Sequence, residues 1–400
     1  MSRPAALRFI FATLLLDMVG IGLLIPVLPK LVASLHGGDH AKASVVFGWF
    51  ISAYALMQFL FAPLLGELSD RFGRRPVILI SLLGGGLDYL LMAFAPSLEW
   101  LFVGRVISGI TGANIAAANA YIADVSSPED RAKNFGMIGA CFGIGFVLGP
   151  ALGGLLAGWG LRAPFFVAAG LSLLNLAFGF FVLPESHPPE KRRRIDWQRT
   201  NPLNSLLAIR RYPILLSLAG TLFLDRIAHA SLPGTWVLYT SYRFGWKEWQ
   251  NGLALALVGI MFGVVQGLFT GPIVKRLGER WAMLFGLGMS VVTFVLYGSA
   301  TQGWMMYLFI VIGSVGAAGE AAMMSLITKN TPDDEQGAVQ GTIGSVHGIA
   351  AIAGPLLATE LFGYFTSPQA PFQLPGAAFY AAAVFAMLAV GLGVRATRGS

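Results

Sequence analysis

One cysteine in 400 residues, Cys141, excludes a disulfide framework, and its place inside an apolar run marks it as a small buried hydrophobe. Five histidines without ligand spacing make no zinc site, so no metal is expected. Glycine clusters such as GGLLAGWG lack a strand, turn and helix context and the Lys-Ser/Thr of a phosphate loop. Enzymatic activity, a bound cofactor and energy from ATP are therefore not expected. Charge too is scarce, at 12% of residues against about 25% in soluble domains. A soluble globular chain is excluded.

What stands in place of charge is 56% apolar content and a mean hydropathy of +0.69. It comes in runs of about 20 residues, the length a helix needs to cross roughly 30 Å of hydrocarbon. Barrel strands alternate over about 10 residues, so a β-barrel is excluded as well. The first run, Leu7 to Pro29, is too long for a signal peptide, contains Asp17 and lacks a small-residue cleavage site. Spans are predicted near residues 7–29, 45–66, 77–95, 99–122, 134–158, 164–183, 213–240, 251–272, 282–300, 303–327, 337–363 and 376–394, making an all-α integral membrane protein of twelve transmembrane helices.

The net charge of +7 follows that topology. Arg105 and Arg226 fall inside spans, and Lys30, Lys42, Arg162, Arg243 and Lys247 lie on one set of loops; every other Lys and Arg lies on the opposite set or at the termini. The positive-inside rule then makes both termini cytoplasmic. A nucleic-acid partner is not needed to explain the charge.

PESHPPEKRRRIDWQRTNP, Pro184 to Pro202, is the longest polar stretch. It divides the chain into an expected six-helix bundle over residues 1–183, a cytoplasmic linker over 184–211 and a second bundle over 212–400. Lys191 to Arg194 can also lie against anionic headgroups. An internal repeat supports the division. GELSDRFGRRP, Gly66 to Pro76, aligns at an offset of about 205 residues with GPIVKRLGERW, Gly271 to Trp281, matching Gly73 with Gly278; Gly149-Pro150 meets Gly354-Pro355 at the same offset. Two pseudo-symmetric bundles are the arrangement in which a substrate site forms at mid-membrane between halves that rock. Gly145, Gly149 and Gly153 are four apart and so share one face of span five, a close-packing seam beside Pro150.

GELSDRFGRRP, the span-four stretch LFVGRVISGITGA and the span-five stretch GIGFVLGPALGG resemble three motifs of the major facilitator superfamily, in the right order over nearly the whole chain. TLLLDMVGIGLLIPVLP, GLDYLLMAFAP and EQGAVQGT are similar to the bacterial tetracycline-efflux group of drug:proton antiporters. That resemblance implies the major facilitator fold, a bacterial inner-membrane location and proton-driven export of a small, mostly apolar compound. It also implies a gating charge cluster of Asp70, Arg74 and Asp124, to which Arg71, Gly145, Gly149 and Pro150 are added as gating candidates. Where the tetracycline group carries a histidine in span eight and an aspartate in span nine, this chain has Phe262 and Ser290, which points to another substrate.

Ionisable residues inside spans are costly and mark pathways. Asp17, Asp225, His229 and Glu320 are the expected proton-coupling residues: Asp17 lies near mid-bilayer, and Asp225 and His229, four apart, share a helix face that Arg226 leaves by about 100°. Expected substrate contacts are Gln58, Asp88, Arg105, Asn114, Arg226, Phe262 and Gln266. A fixed Asp-Arg pair is the plain alternative for span seven. Tyr54, Tyr239, Met323 and Met324 are further pocket candidates, although ordinary packing suits each of them. Trp100, Trp159, Trp236, Trp246, Trp249, Trp281 and Trp304 sit near span ends, where indole prefers the interface.

The expectation is a monomeric, proton-coupled exporter of a small amphipathic or cationic compound. Its partners are that substrate, protons and lipid. A metabolite or lipid symporter or facilitator is the alternative within transport, and a membrane receptor or scaffold is the alternative outside it.

Overall fold

The computed structural model describes residues 3–37, 40–127, 130–195, 200–201, 213–332 and 336–398. The expected linker stretches 196–199 and 202–211 therefore lie outside the described residues, as do the side chain of Asn114 and Pro128. Helix dominates throughout. Spans one to seven are Phe9–Leu35, Ala41–Phe72, Arg74–Phe94, Leu98–Val125, Lys133–Trp159, Ala163–Val182 and Pro213–Phe244. Next comes a continuous apolar segment, Glu248–Ser299, then Gly303–Lys329, Val339–Thr366 and Ala377–Ala396.

Eleven such helices are found among the described residues where twelve spans are predicted, and the difference lies in the segment Glu248–Ser299. Its 52 residues would make a rod of roughly 78 Å, more than twice the hydrocarbon thickness. Gly278, at φ 77°, ψ 162°, breaks it into spans eight and nine. Gly73, its partner in the repeat, has φ 103°, ψ 158° between spans two and three. Both turns need a left-handed φ that a side chain resists, so the sequence repeat reappears as one backbone conformation used twice.

The repeat is also visible inside helices. Span four tightens into a 3₁₀ turn at Gly112–Asn114, and span ten does so at Val315–Ala317. Such a turn takes carbonyls off the regular i→i+4 ladder. In each case a glutamine from an earlier span supplies a donor: Gln58 Nε2 to the Gly112 carbonyl at 3.3 Å, and Gln266 Nε2 to the Ala317 carbonyl at 3.2 Å. Gln266 itself sits in a widened π-type turn, Val265–Phe269, in span eight.

The chain forms two compact units. One comprises Met1–Leu31, Ala53–Pro202 and Glu248–Ala256; the other comprises Val32–Ser52, Leu203–Lys247 and Leu257–Ser400. Within the first, Phe9, Ile10, Leu14, Ile78, Leu82 and Tyr121 form a buried core that also takes in Cys141. Spans one and five meet through backbone: a Cβ on Gly149 would stand 2.6 Å from Gly22 Cα, and one on Gly145 or Gly153 would collide with Met18 or Leu23. The opening turns of span eight lie on a neighbouring face of span five, where a Cβ on Gly154 would stand 2.6 Å from the Glu248 carbonyl oxygen. Lys30 pairs with Glu248 at 2.9 Å in the same unit.

The second unit is centred on Leu218, Leu222, Met283, Leu287, Met323 and Ile327. The first half of span two packs on span eleven there, Ser44 Oγ donating to the Thr359 carbonyl at 3.1 Å and Ser52 Oγ to the Ile352 carbonyl at 2.7 Å. Trp100, Trp159, Trp249, Trp281 and Trp304 are exposed, as expected of interfacial indoles. Trp236 and Trp246 are not. Both are buried, Trp246 stacked obliquely on Tyr307 at the connection between spans seven and eight, and Trp236, within span seven, edge-on to Tyr297, where aromatic packing overrides the interface preference.

Candidate functional site

Three clusters hold most of the charged residues singled out from the sequence. The first lies in the first unit. Asp88 is buried, and Ser108 Oγ donates to its Oδ2; Ser108 in turn accepts from Arg105 Nη2 at 2.7 Å. One hydroxyl thus carries the influence of the arginine to the carboxylate. Asp88 Oδ1 is buried without a hydrogen-bond partner among the described residues. The Arg105 guanidinium also lies over the Tyr54 ring, 5.3 Å from its centroid, and Gln58 Nε2 donates to Tyr54 Oη at 2.9 Å. Asp17 is half-buried within electrostatic reach of Tyr54 and Tyr89. Residues of spans two, three and four expected to face substrate are therefore neighbours.

The second cluster lines a cavity of about 200 Å³ in the second unit. Arg226 Nη2 bonds Glu320 Oε1 at 2.5 Å, tying span seven to span ten, and Arg226 Nε stands 3.8 Å from Asp225. His229 Nδ1 lies 3.0 Å from the Asp225 carbonyl and 3.4 Å from its carboxylate, while its ring meets Phe294 edge-on. The expected shared face of Asp225 and His229 is present. The plain Asp-Arg pair is not the main contact of Arg226, because Glu320 offers it a much shorter one. Phe262 and Ser290 line the same cavity, with Met323 and Tyr297. Tyr239 and Met324 are not in its lining: the Tyr239 hydroxyl donates to the Tyr297 carbonyl, and Met324 packs on the core that contains Leu218 and Met323.

The third cluster surrounds the turn at Gly73. Arg74 pairs with Asp70 one turn earlier, with Asp124 at 3.2 Å through Nε, and with Ser69 Oγ at 2.6 Å through Nη1. Asp70, Arg74 and Asp124 thus come together as expected, and two linker residues join them. Glu185 accepts the backbone N–H groups of Arg74 at 2.9 Å and Arg75 at 3.3 Å, closing the N-terminus of span three where Gly73 has no side chain to do so. Arg193 reaches back to Asp70 and to Glu67, the latter at 2.8 Å. Arg71 is exposed and laid over the Phe72 ring.

His347 in span eleven was not among the expected residues. It lies within electrostatic reach of Arg226, Glu320 and Asp225, and its Nε2 is buried without a hydrogen-bond partner among the described residues. An imidazole inside a predicted span was the available signal. No group of three or more His, Cys, Asp or Glu placed to hold a metal occurs among the described residues.

The Major Facilitator Superfamily pattern matches residues 10–266 and 218–399. A tetracycline resistance protein, class C, of Escherichia coli is 42% identical over 362 residues, covering 90% of this chain and 91% of that protein. The crystal structure of the human organic anion transporter MFSD10 (TETRAN) superposes with a TM-score of 0.71 at 27% identity, over 98% of this chain and 100% of that one. The nucleoside transporter NupG shares the fold at a TM-score of 0.76 and 14% identity, over 98% of both chains. The chain belongs to the Major Facilitator Superfamily, in the group that contains the tetracycline resistance proteins.

Proposed function

We propose that this protein exports a small amphipathic or cationic drug in exchange for protons. It would do so from a bacterial inner membrane, as a monomer with both termini cytoplasmic. Two six-helix halves, residues 1–183 and 212–400 joined by the linker 184–211, alternate access to the sites. The observation that carries the reading is the second-unit cavity, where Asp225 and Glu320 face a single arginine beside an apolar wall of Phe262, Phe294 and Met323.

Two carboxylates against one guanidinium, with His229 and His347 neutral, leave an attraction for a positive group. A cationic substrate competes with Arg226 for Glu320, and a proton competes with the substrate for the same oxygen. Competition for one carboxylate is antiport: proton binding expels the cation, and cation binding expels the proton. A membrane potential of 100 mV adds about 2.3 kcal/mol per charge moved. Asp17, His229 and Asp225 are assigned to the proton path; Gln58, Asp88, Arg105, Asn114, Arg226, Phe262 and Gln266 to substrate contact. Phe262 and Ser290 give the cavity a less polar wall than the tetracycline pattern has, so the reading favours a substrate other than tetracycline. Asp70, Arg74 and Asp124 would form a gate that breaks when the linker face opens, while the Gly145, Gly149 and Pro150 seam slides.

The test is accumulation of a fluorescent lipophilic cation in proteoliposomes. Inside-out molecules should concentrate it in an acidic lumen and fail to do so once the gradient is collapsed. Accumulation that ignores the gradient would overturn proton coupling. A second reading, export of an organic anion, is favoured by Arg105 and Arg226 and by the likeness to the human organic anion transporter; inhibition of cation uptake by lipophilic carboxylates would support it.

A further inference from the structure

The turn at Gly73 carries more arginine than its acids absorb. The Arg71 guanidinium lies 5.0 Å from the Phe72 ring centroid. Arg192 comes to the same turn from the linker, its Nη2 standing 3.0 Å from where a Cβ on Gly73 would be. Arg75, also at the turn, donates to the Phe180 carbonyl at 2.6 Å, with its guanidinium 5.8 Å from that ring. Beside the turn opens a depression lined by Arg71, Arg192, Arg193, Arg194 and Ile195, with no carboxylate among the described residues of the lining. Arg193 alone of these is engaged by Glu67 and Asp70.

Guanidinium groups gathered in one concavity repel one another, and an anion relieves that repulsion. Phosphate suits it best, because the planar fork of arginine matches two phosphate oxygens at once. The surroundings choose the carrier of the phosphate. Phe72, Phe180 and Phe181 flank the turn at the ends of spans two and six, at 49%, 60% and 83% exposure, and Phe180 and Phe181 touch edge to face. A free phosphate has no use for exposed aromatic rings. A phospholipid does: its acyl chains lie against the rings while its phosphodiester enters the depression.

We propose that this concavity binds the headgroup of an anionic phospholipid from the leaflet on the linker side. The site stands on the turn and the linker alone, independently of the transported compound. Because Arg193 belongs at once to the rim of the depression and to the Asp70 cluster, a bound lipid draws on the same residue that holds the linker to the turn.

The experiment is native mass spectrometry of the purified full chain with phosphatidylglycerol, phosphatidylcholine or inorganic phosphate. The wild type should retain one phosphatidylglycerol in preference to phosphatidylcholine, and inorganic phosphate at equal concentration should not displace it. Arg192→Gln together with Arg194→Gln should weaken that retention about thirtyfold, two surface arginines at the usual strength. Lys42→Gln together with Lys247→Gln, removing equal charge elsewhere, should leave it unchanged. Equal retention of the two lipids, displacement by free phosphate, an unaffected arginine variant or an equal loss in the lysine variant would each overturn the proposal.

Discussion

Gly149→Ala isolates the packing of spans one and five with a single methyl group. The new Cβ would stand 2.6 Å from Gly22 Cα, 2.8 Å from the Val19 carbonyl oxygen and 3.0 Å from the Gly22 carbonyl carbon. Carbon atoms rest at roughly 3.5–4.0 Å, so the helices must part by about 1 Å. Every one of these neighbours is backbone, and no rotamer change can make room. Overpacking of this kind typically costs about 1–3 kcal/mol. Thermal melting of the purified protein in detergent should therefore show a clear loss of stability. Gly139→Ala is the control on the same span: nothing lies within 4 Å of its added Cβ, and alanine favours helix by up to about 1 kcal/mol. It should melt at or above the wild type. Gly22→Ala combined with Gly149→Ala should cost less than the sum of the single changes, since one separation relieves both collisions. A Gly149→Ala protein that melts like wild type, or a Gly139→Ala protein that melts equally low, would refute this view of the seam.

Glu185→Gln leaves one acceptor oxygen for two backbone N–H groups, turns an amide N–H toward the other, and removes the charge at the N-terminus of span three; it should cost about 1–3 kcal/mol in melting, the charge part of it less at high salt. Gln58→Leu and Gln266→Leu each leave a carbonyl at a 3₁₀ turn without its glutamine donor; each should destabilise by about 1–3 kcal/mol and increase hydrogen exchange at 112–114 or 315–317 respectively, which exchange measured by mass spectrometry would resolve.

Much of this molecule is legible in its amino-acid sequence, and the reasons differ from element to element. Spans are legible because each must be apolar by itself for about 20 residues, so the information is local. The Gly73 and Gly278 turns are legible because the same unusual φ is needed twice. The Gly145, Gly149 and Gly153 seam is visible as spacing, but its partner is not, since nothing about Gly22 in span one marks it as the glycine that span five meets. Glu185 and Arg193 escape because they reach the Gly73 turn across more than a hundred residues, and a polar linker carries no periodicity to announce it. Ser108 and His347 escape for a related reason: a serine or an imidazole in an apolar helix has many ordinary roles, and only the neighbouring charge selects one. Trp236 shows the reverse error, where a reliable preference of tryptophan for the interface yields to an aromatic partner within span seven's packing.

The central claim is that substrate and proton compete for Glu320 opposite Arg226. Its most direct test is Glu320→Gln in proteoliposomes, with uptake of a lipophilic cation measured in two modes: accumulation driven by an acidic lumen, and exchange of labelled for unlabelled cation with no gradient. Competition at Glu320 predicts that gradient-driven accumulation is lost and that cation affinity falls, with whatever exchange remains no longer depending on pH. Gradient-driven accumulation at the wild-type level, with unchanged pH dependence, would contradict it.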